Sequence, residues 1–198
     1  MSTNSLVAYL NEDGSVVSSY VHYDGYATGV GEMLLEHYNS EERAKDLAWC
    51  LGYASSLKET ISESHEARAN TDEAEVFEDY HDFEEYIREQ GYVEYVYVWD
   101  STKVVGGKWL VASWEHTKKK VHNGRCFDYE FEYHWNGFED LVTVYIREGN
   151  ETVKRYRTMV SEGRVGAEYL DYASELEEMV SRYHRAAMAI VARNALAA

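Results

Sequence analysis

An α+β fold, helices packed on an antiparallel β-meander, is predicted by three features of the 198-residue chain. Short apolar segments are joined by Asn-Glu-Asp-Gly, Gly-Gly and Asn-Gly clusters, which suits hairpins between neighbouring strands. Other stretches carry apolar residues at spacings of three and four, the helical period. The chain has no proline, so nothing of that kind interrupts a long helix.

The elements follow in order. Leu6–Leu10 and Val16–Tyr23 flank Asn11-Glu12-Asp13-Gly14 and read as a β-hairpin. Thr28-Gly29-Val30-Gly31 opens a helix in which Val30, Met33, Leu34 and His37 share a face. Ser40 is the expected N-cap of the next helix, which buries Ala44, Leu47, Ala48 and Leu51; Cys50 reads as a small core residue. Ser55–Thr71 is polar and fixes no element. Thr71 is the expected cap of a helix from Asp72 to Gln90, with Gly91 as its stop and Val76, Tyr80, Phe83 and Ile87 as its stripe.

The second half changes to an alternating period. Tyr92–Trp99 and Lys108–Trp114 read as paired strands about Gly106-Gly107. Beyond the Asn123-Gly124 turn, Arg125–Trp135 sends Phe127, Tyr129, Phe131, Tyr133 and Trp135 one way and Asp128, Glu130, Glu132 and His134 the other. Leu141–Arg147 and Thr152–Val160 are expected to extend the meander across Gly149-Asn150. A long C-terminal helix, Val165–Ala197, carries Leu170, Ala173, Leu176, Val180, Tyr183, Ala187, Ile190 and Val191. One domain over residues 1–198 is expected, with an acidic part up to residue 115 and the meander with its helix from 116.

The charge is uneven. Of 36 acidic and 19 basic residues, the first 100 positions hold 22 and five, so the whole net charge of −17 lies there; the remainder holds 14 of each. At 45% hydrophobic and 14% aromatic, the chain is no disordered acidic tail. No apolar run nears the ~20 residues of a membrane span, and the start Met1–Ser15 has no basic end with an apolar core, so no leader is expected. Two cysteines make no disulfide framework and no zinc site; reduced thiols in a cytoplasmic protein are expected. Direct nucleic-acid binding is disfavoured, because phosphate contacts need Lys and Arg. No cofactor motif is present.

Two places could carry function. In the 72–90 segment, Glu75, Glu78, Asp79, Asp82, Glu85 and Glu89 form a ridge of like charges, each close pair of which weakens a helix. Such a ridge could imitate nucleic-acid phosphates and occupy a basic groove, or simply be a solvated face. The second place is the turn from His22 to Gly31. Its glycine-punctuated strand-to-helix passage could hold an anion at the Gly29–Gly31 helix start, with His22 for acid–base chemistry, Asp24 to orient it and Tyr26 beside them. It is neither a P-loop nor a dinucleotide fingerprint, and a packed tight turn is the plainer account. The aromatic row from Phe127 to Trp135 reads as core or as a stacking face. Lys118-Lys119-Lys120 reads as an exposed turn, or as a clamp on the acidic half of a second copy in a homodimer.

Met1-Ser2-Thr3, Ser5, the Asn-Glu-Asp-Gly turn, Tyr20, His22-Tyr23-Asp24-Gly25-Tyr26, Gly29-Val30-Gly31 and Leu34–Tyr38 together resemble an uncharacterised family of small bacteriophage and mobile-element proteins. In that family a short hairpin leads to a His-Trp-Asp-Gly-Tyr turn and a Gly-Val-Gly helix start; Tyr23 stands here in place of the Trp. Tyr95–Asp100 with Lys108–Val111 is similar to a second family feature, an aromatic hairpin. The likeness covers residues 1–115 and brings no catalytic residue with it. It implies a phage origin and action in the host cytoplasm, where small acidic proteins, some of them DNA mimics, block host enzymes or defence systems. The function expected is therefore inhibition of a host protein with a basic groove. A nucleotide-binding protein or enzyme at the His22 turn is the alternative, and a virion or scaffold component the third.

Overall fold

The computed structural model describes residues 3–65, 73–89, 93–102, 107–123 and 126–197, and for 115–134 and 193–197 the backbone alone. The chain forms two compact units, residues 1–139 and 140–198.

In the first unit, β1 (Ser5–Leu10) and β2 (Val16–Val21) form the expected antiparallel hairpin, with Leu6 opposite Tyr20 and Ala8 opposite Ser18. Both faces of the pair are covered: Leu6, Ala8 and Val16 are buried on one side, Val7 and Val17 on the other. A single π turn, Ala27–Gly31, leads into α1 (Glu32–His37), where Val30 and Leu34 are buried and Met33 and His37 half-buried. The Ser40 hydroxyl accepts from Arg43 N at 3.4 Å and starts α2 (Glu41–Cys50), which buries Ala44, Leu47, Ala48 and, just past its end, Leu51. Cys50 is exposed and not the core residue expected, because it falls off that stripe at the last position of the helix. The two-residue strand β3 (Tyr53–Ala54) then lies parallel to the end of β2, and α3 (Ile61–His65) follows.

The expected helix over 72–90 is two elements. Glu75–Phe77 forms β4, antiparallel to the start of β2, with Glu75 opposite Ser18 and Phe77 opposite Val16. After a bend at Glu78-Asp79, α4 runs from Tyr80 to Glu89. The Asp79 carboxylate accepts from Asp82 N at 2.9 Å, so the side chain that would weaken a helix interior caps one instead. Within the proposed stripe, Phe83 and Ile87 are buried among Leu6, Ala8, Val16, Val96 and Val98, Tyr80 is half-buried, and Val76, now on a strand, is 60% exposed. The expected cap Thr71 and stop Gly91 lie outside the described residues.

β5 (Tyr95–Asp100) pairs parallel with β1, which corrects the purely antiparallel meander to a mixed sheet. The connection back from β2 passes through four helices and returns on the far side of β1; a crossover of that kind delivers a parallel strand where a short hairpin cannot. β5 then pairs antiparallel with β6 (Lys108–Asn123), and β6 with β7 (Cys126–Trp135), as expected. The sheet order is β3-β2-β1-β5-β6-β7, with β4 also on β2, and the two-residue strand β8 (Glu139–Asp140) beside β6. Lys118–Lys120 are in the ladder opposite Phe131, Glu130 and Tyr129, in strand and not turn. Gly124 and the side chains of the Phe127–Tyr133 row lie outside what is described; Trp135 packs on Trp114, ring centres 5.0 Å apart.

The second unit is a helical hairpin, and here the two expected strands are one helix, α5 (Leu141–Ser161). Its buried residues, Leu141, Val144, Tyr145, Gly149 and Val153, recur at helical spacing. Asp140 caps it, accepting from Thr143 N at 3.2 Å, and Asn150 donates its side-chain amide to Ile146 O at 2.8 Å, so the residue read as a turn is bonded into the helix. Gly163, at φ +67°, ends it: Gly163 N bonds to Val160 O and Arg164 N to Met159 O, the paired bonds of a left-handed helix stop. α6 (Glu168–Ala197) packs on α5 through Tyr145–Tyr183 and Tyr156–Tyr169 ring contacts and a two-bond Arg157–Glu177 pair of 3.1 and 2.7 Å. Ala173 and Val180 are buried, whereas Ile190 and Val191 at its far end are exposed. Among the described residues no helix is long and apolar enough to cross a membrane.

Candidate functional site

All six carboxylates singled out in the sequence are exposed, though three elements and not one helix present them. Glu75 stands on β4, Glu78 and Asp79 on the bend, and Asp82, Glu85 and Glu89 on α4. Alternation on β4 puts Val76 on the face opposite Glu75 and Phe77, and Phe77 anchors the strand by packing on Phe83 and Tyr86 at 5.2 and 5.0 Å. The neighbouring charges do little to neutralise the surface. His81 approaches Glu85 and Arg88 approaches Glu84, each at 4.0 Å and well exposed, contacts worth little in water. Asp79, His81 and Asp82 bring one ligand atom each within 4.8 Å, but Asp79 is already committed to capping.

At the second place, the turn is built by close approach. Gly25 N donates to Thr3 O at 2.8 Å, and the Gly25 carbonyl accepts the buried Tyr97 hydroxyl at 2.7 Å. A side chain on Gly29 would strike the Asp24 carbonyl and the Tyr26 ring. Asp24 takes φ +60° and turns its carboxylate to the Tyr26 hydroxyl at 3.1 Å. The Gly29, Val30 and Gly31 amides donate to Tyr26 O, Asp24 O and Tyr26 O, so the three N–H groups considered for an anion hold the turn itself. His22 meets Tyr20, its Nδ1 3.1 Å from the hydroxyl, and lies against the rings of Tyr23 and Tyr53. Among the described residues it shares no hydrogen bond with Asp24.

The two places meet at a cleft that no local sequence pattern announces. β3 and β4 approach the outer edge of β2 from opposite ends, and between them opens a space of about 420 Å³. Leu6, Ser18 and Tyr20 of the hairpin line it, with His22 and Tyr53 at the β3 end and Glu73, Glu75 and Tyr86 at the β4 end. Only pairing of residues far apart in the chain brings these together; the one available signal was that Ser18, Tyr20 and His22 alternate onto one face of β2. No family description, no curated protein and no solved structure matches this chain.

Proposed function

We propose that this protein binds a basic partner through the acidic surface running from β4 over the bend to α4, and that the partner is a protein whose groove ordinarily holds nucleic acid. The observation that carries the reading is the simultaneous exposure of Glu75, Glu78, Asp79, Asp82, Glu85 and Glu89 on consecutive elements fixed to the sheet by Phe77, Phe83 and Ile87. A rigid array of like charges is complementary to a basic groove and speeds the encounter with it. The resemblance to phage proteins supplies the setting, a host enzyme or defence factor as target.

The test is affinity capture from a bacterial lysate with the full chain and with a Glu78→Lys/Glu85→Lys/Glu89→Lys variant, which leaves the capping Asp79 in place. Partners should be displaced by duplex DNA and by salt, and the variant should bind at least ~10-fold more weakly. Partners that resist salt and ignore the reversals would overturn the reading.

A further inference from the structure

The cleft between β3 and β4 contains a hydroxyl that no described residue bonds. Ser18 is 1% exposed, its Oγ has no hydrogen-bond partner among the described residues, and the residue lines the cleft. Buried polar groups are nearly always paired, so an unpaired one facing a cavity marks where a ligand atom belongs. The rest of the lining selects the kind of atom. Glu75 is opposite Ser18 in the ladder, so its side chain rises on the same face of the sheet. No Lys or Arg among the described residues pairs with Glu75 or Glu73. Tyr20 and Tyr53 stand with ring centres 5.2 Å apart, and His22 stacks on Tyr53 at 6.5 Å. Carboxylates repel an anion, and an uncharged apolar group leaves Ser18 unsatisfied. Aromatic faces beside carboxylates attract a cation, most strongly one carried on an apolar stem that covers the rings.

We propose that this cleft is a binding subsite for a single organic cation, an alkylammonium or alkylguanidinium group, whose charged head donates to Ser18 Oγ and to the Glu75 carboxylate opposite it, with Glu73 beside them and the rings of Tyr20 and Tyr53 along the stem. It rests on the reading of the acidic surface as a receptor for basic groups and gives that surface one discrete pocket. A free amine and an arginine or lysine side chain of a partner share this chemistry.

The experiment is an amide-resolved NMR titration of the full chain with n-butylguanidinium, n-butylammonium, uncharged n-butanol and a short arginine-containing peptide, taken into the millimolar range. Both cations should shift the signals of Ser18, Tyr20, His22 and Tyr53 saturably, and n-butanol should not. Glu75→Gln should weaken the small cations about tenfold and Ser18→Ala about threefold, while Glu42→Gln, exposed on α2, leaves them unchanged. Each variant's own spectrum reports whether it is folded. A peptide that binds at least ~10-fold tighter than n-butylguanidinium, and loses that gain on Glu85→Lys, identifies a partner side chain as the occupant; equal affinities identify a free amine. If n-butanol fills the cleft as well as the cations, or Glu75→Gln changes nothing, the subsite is refuted. The peptide binding along α4 in that case would leave the acidic-surface reading intact; cations in the cleft with no peptide contact on α4 would refute the surface reading alone.

Discussion

Gly25 holds the turn after β2 against the start of β1 with no room for a side chain. A Cβ there would stand 2.8 Å from the Thr3 carbonyl oxygen and 2.9 Å from the Asn4 carbonyl, backbone atoms that cannot rotate away. Gly25→Ala is therefore expected to lower stability by ~1–3 kcal/mol, read as a lower urea midpoint at unchanged slope. A second residue-scale expectation concerns Tyr38, which is buried with its hydroxyl donating to Lys58 O at 2.9 Å. Burial pushes its pKa from 10.0 up to about 12. The folded chain thus holds this proton more tightly than the unfolded one. The resulting stability is whole below pH 10 and is lost as pH rises toward about 12. Tyr80 is raised in the same sense, by burial and then by the charges of Glu84 and Asp100, and adds to the slope. Urea midpoints measured across that interval should fall, and less steeply in Tyr38→Phe; equal slopes would remove Tyr38 from the account.

At the scale of elements, caps decide more than propensity. The Asp140 carboxylate satisfies the Thr143 amide at the start of α5, so Asp140→Ala should cost ~1 kcal/mol in a denaturation curve, and Asp140→Ser should restore most of it. The same caps explain what could be read beforehand. The β1–β2 hairpin and α2 were legible because a turn cluster and Ser40 bound runs whose period agrees with them. α5 was not, because Leu141–Ile146 satisfies both periods and its Val and Thr residues favour strands; burial of Leu141, Val144, Tyr145 and Val153 along one stripe overrides that preference. β4 was missed for the opposite reason. Its three residues are too few to show a period, and their partner, β2, lies more than fifty positions earlier in the chain. The acidic residues of the candidate surface were legible from composition alone, since exposure is where unpaired carboxylates must be. The cleft beside them was not, because it exists only once β3 and β4 are both docked on β2.

Across the whole molecule, the charge divides with the structure. Residues 1–139 hold 27 acidic and 11 basic side chains, residues 140–198 nine and eight. The first unit therefore folds against its own repulsion, which salt screens over ~10 Å at 0.1 M. Its thermal midpoint should rise with added salt, and the Glu78→Lys/Glu85→Lys/Glu89→Lys variant should start higher in dilute buffer and rise less; calorimetry at several ionic strengths would show it, and a flat salt response would contradict it. The position of Glu75 has a consequence of a different kind. Among the described residues β3 and β4 share the outer margin of the sheet beyond β2, and a bare strand margin is a template for joining sheet to sheet between molecules. A margin broken into pieces of two and three residues, one of them with a carboxylate on one face, is poorly suited to such joining. Neutralising Glu75 should therefore make concentrated solutions of the chain aggregate sooner.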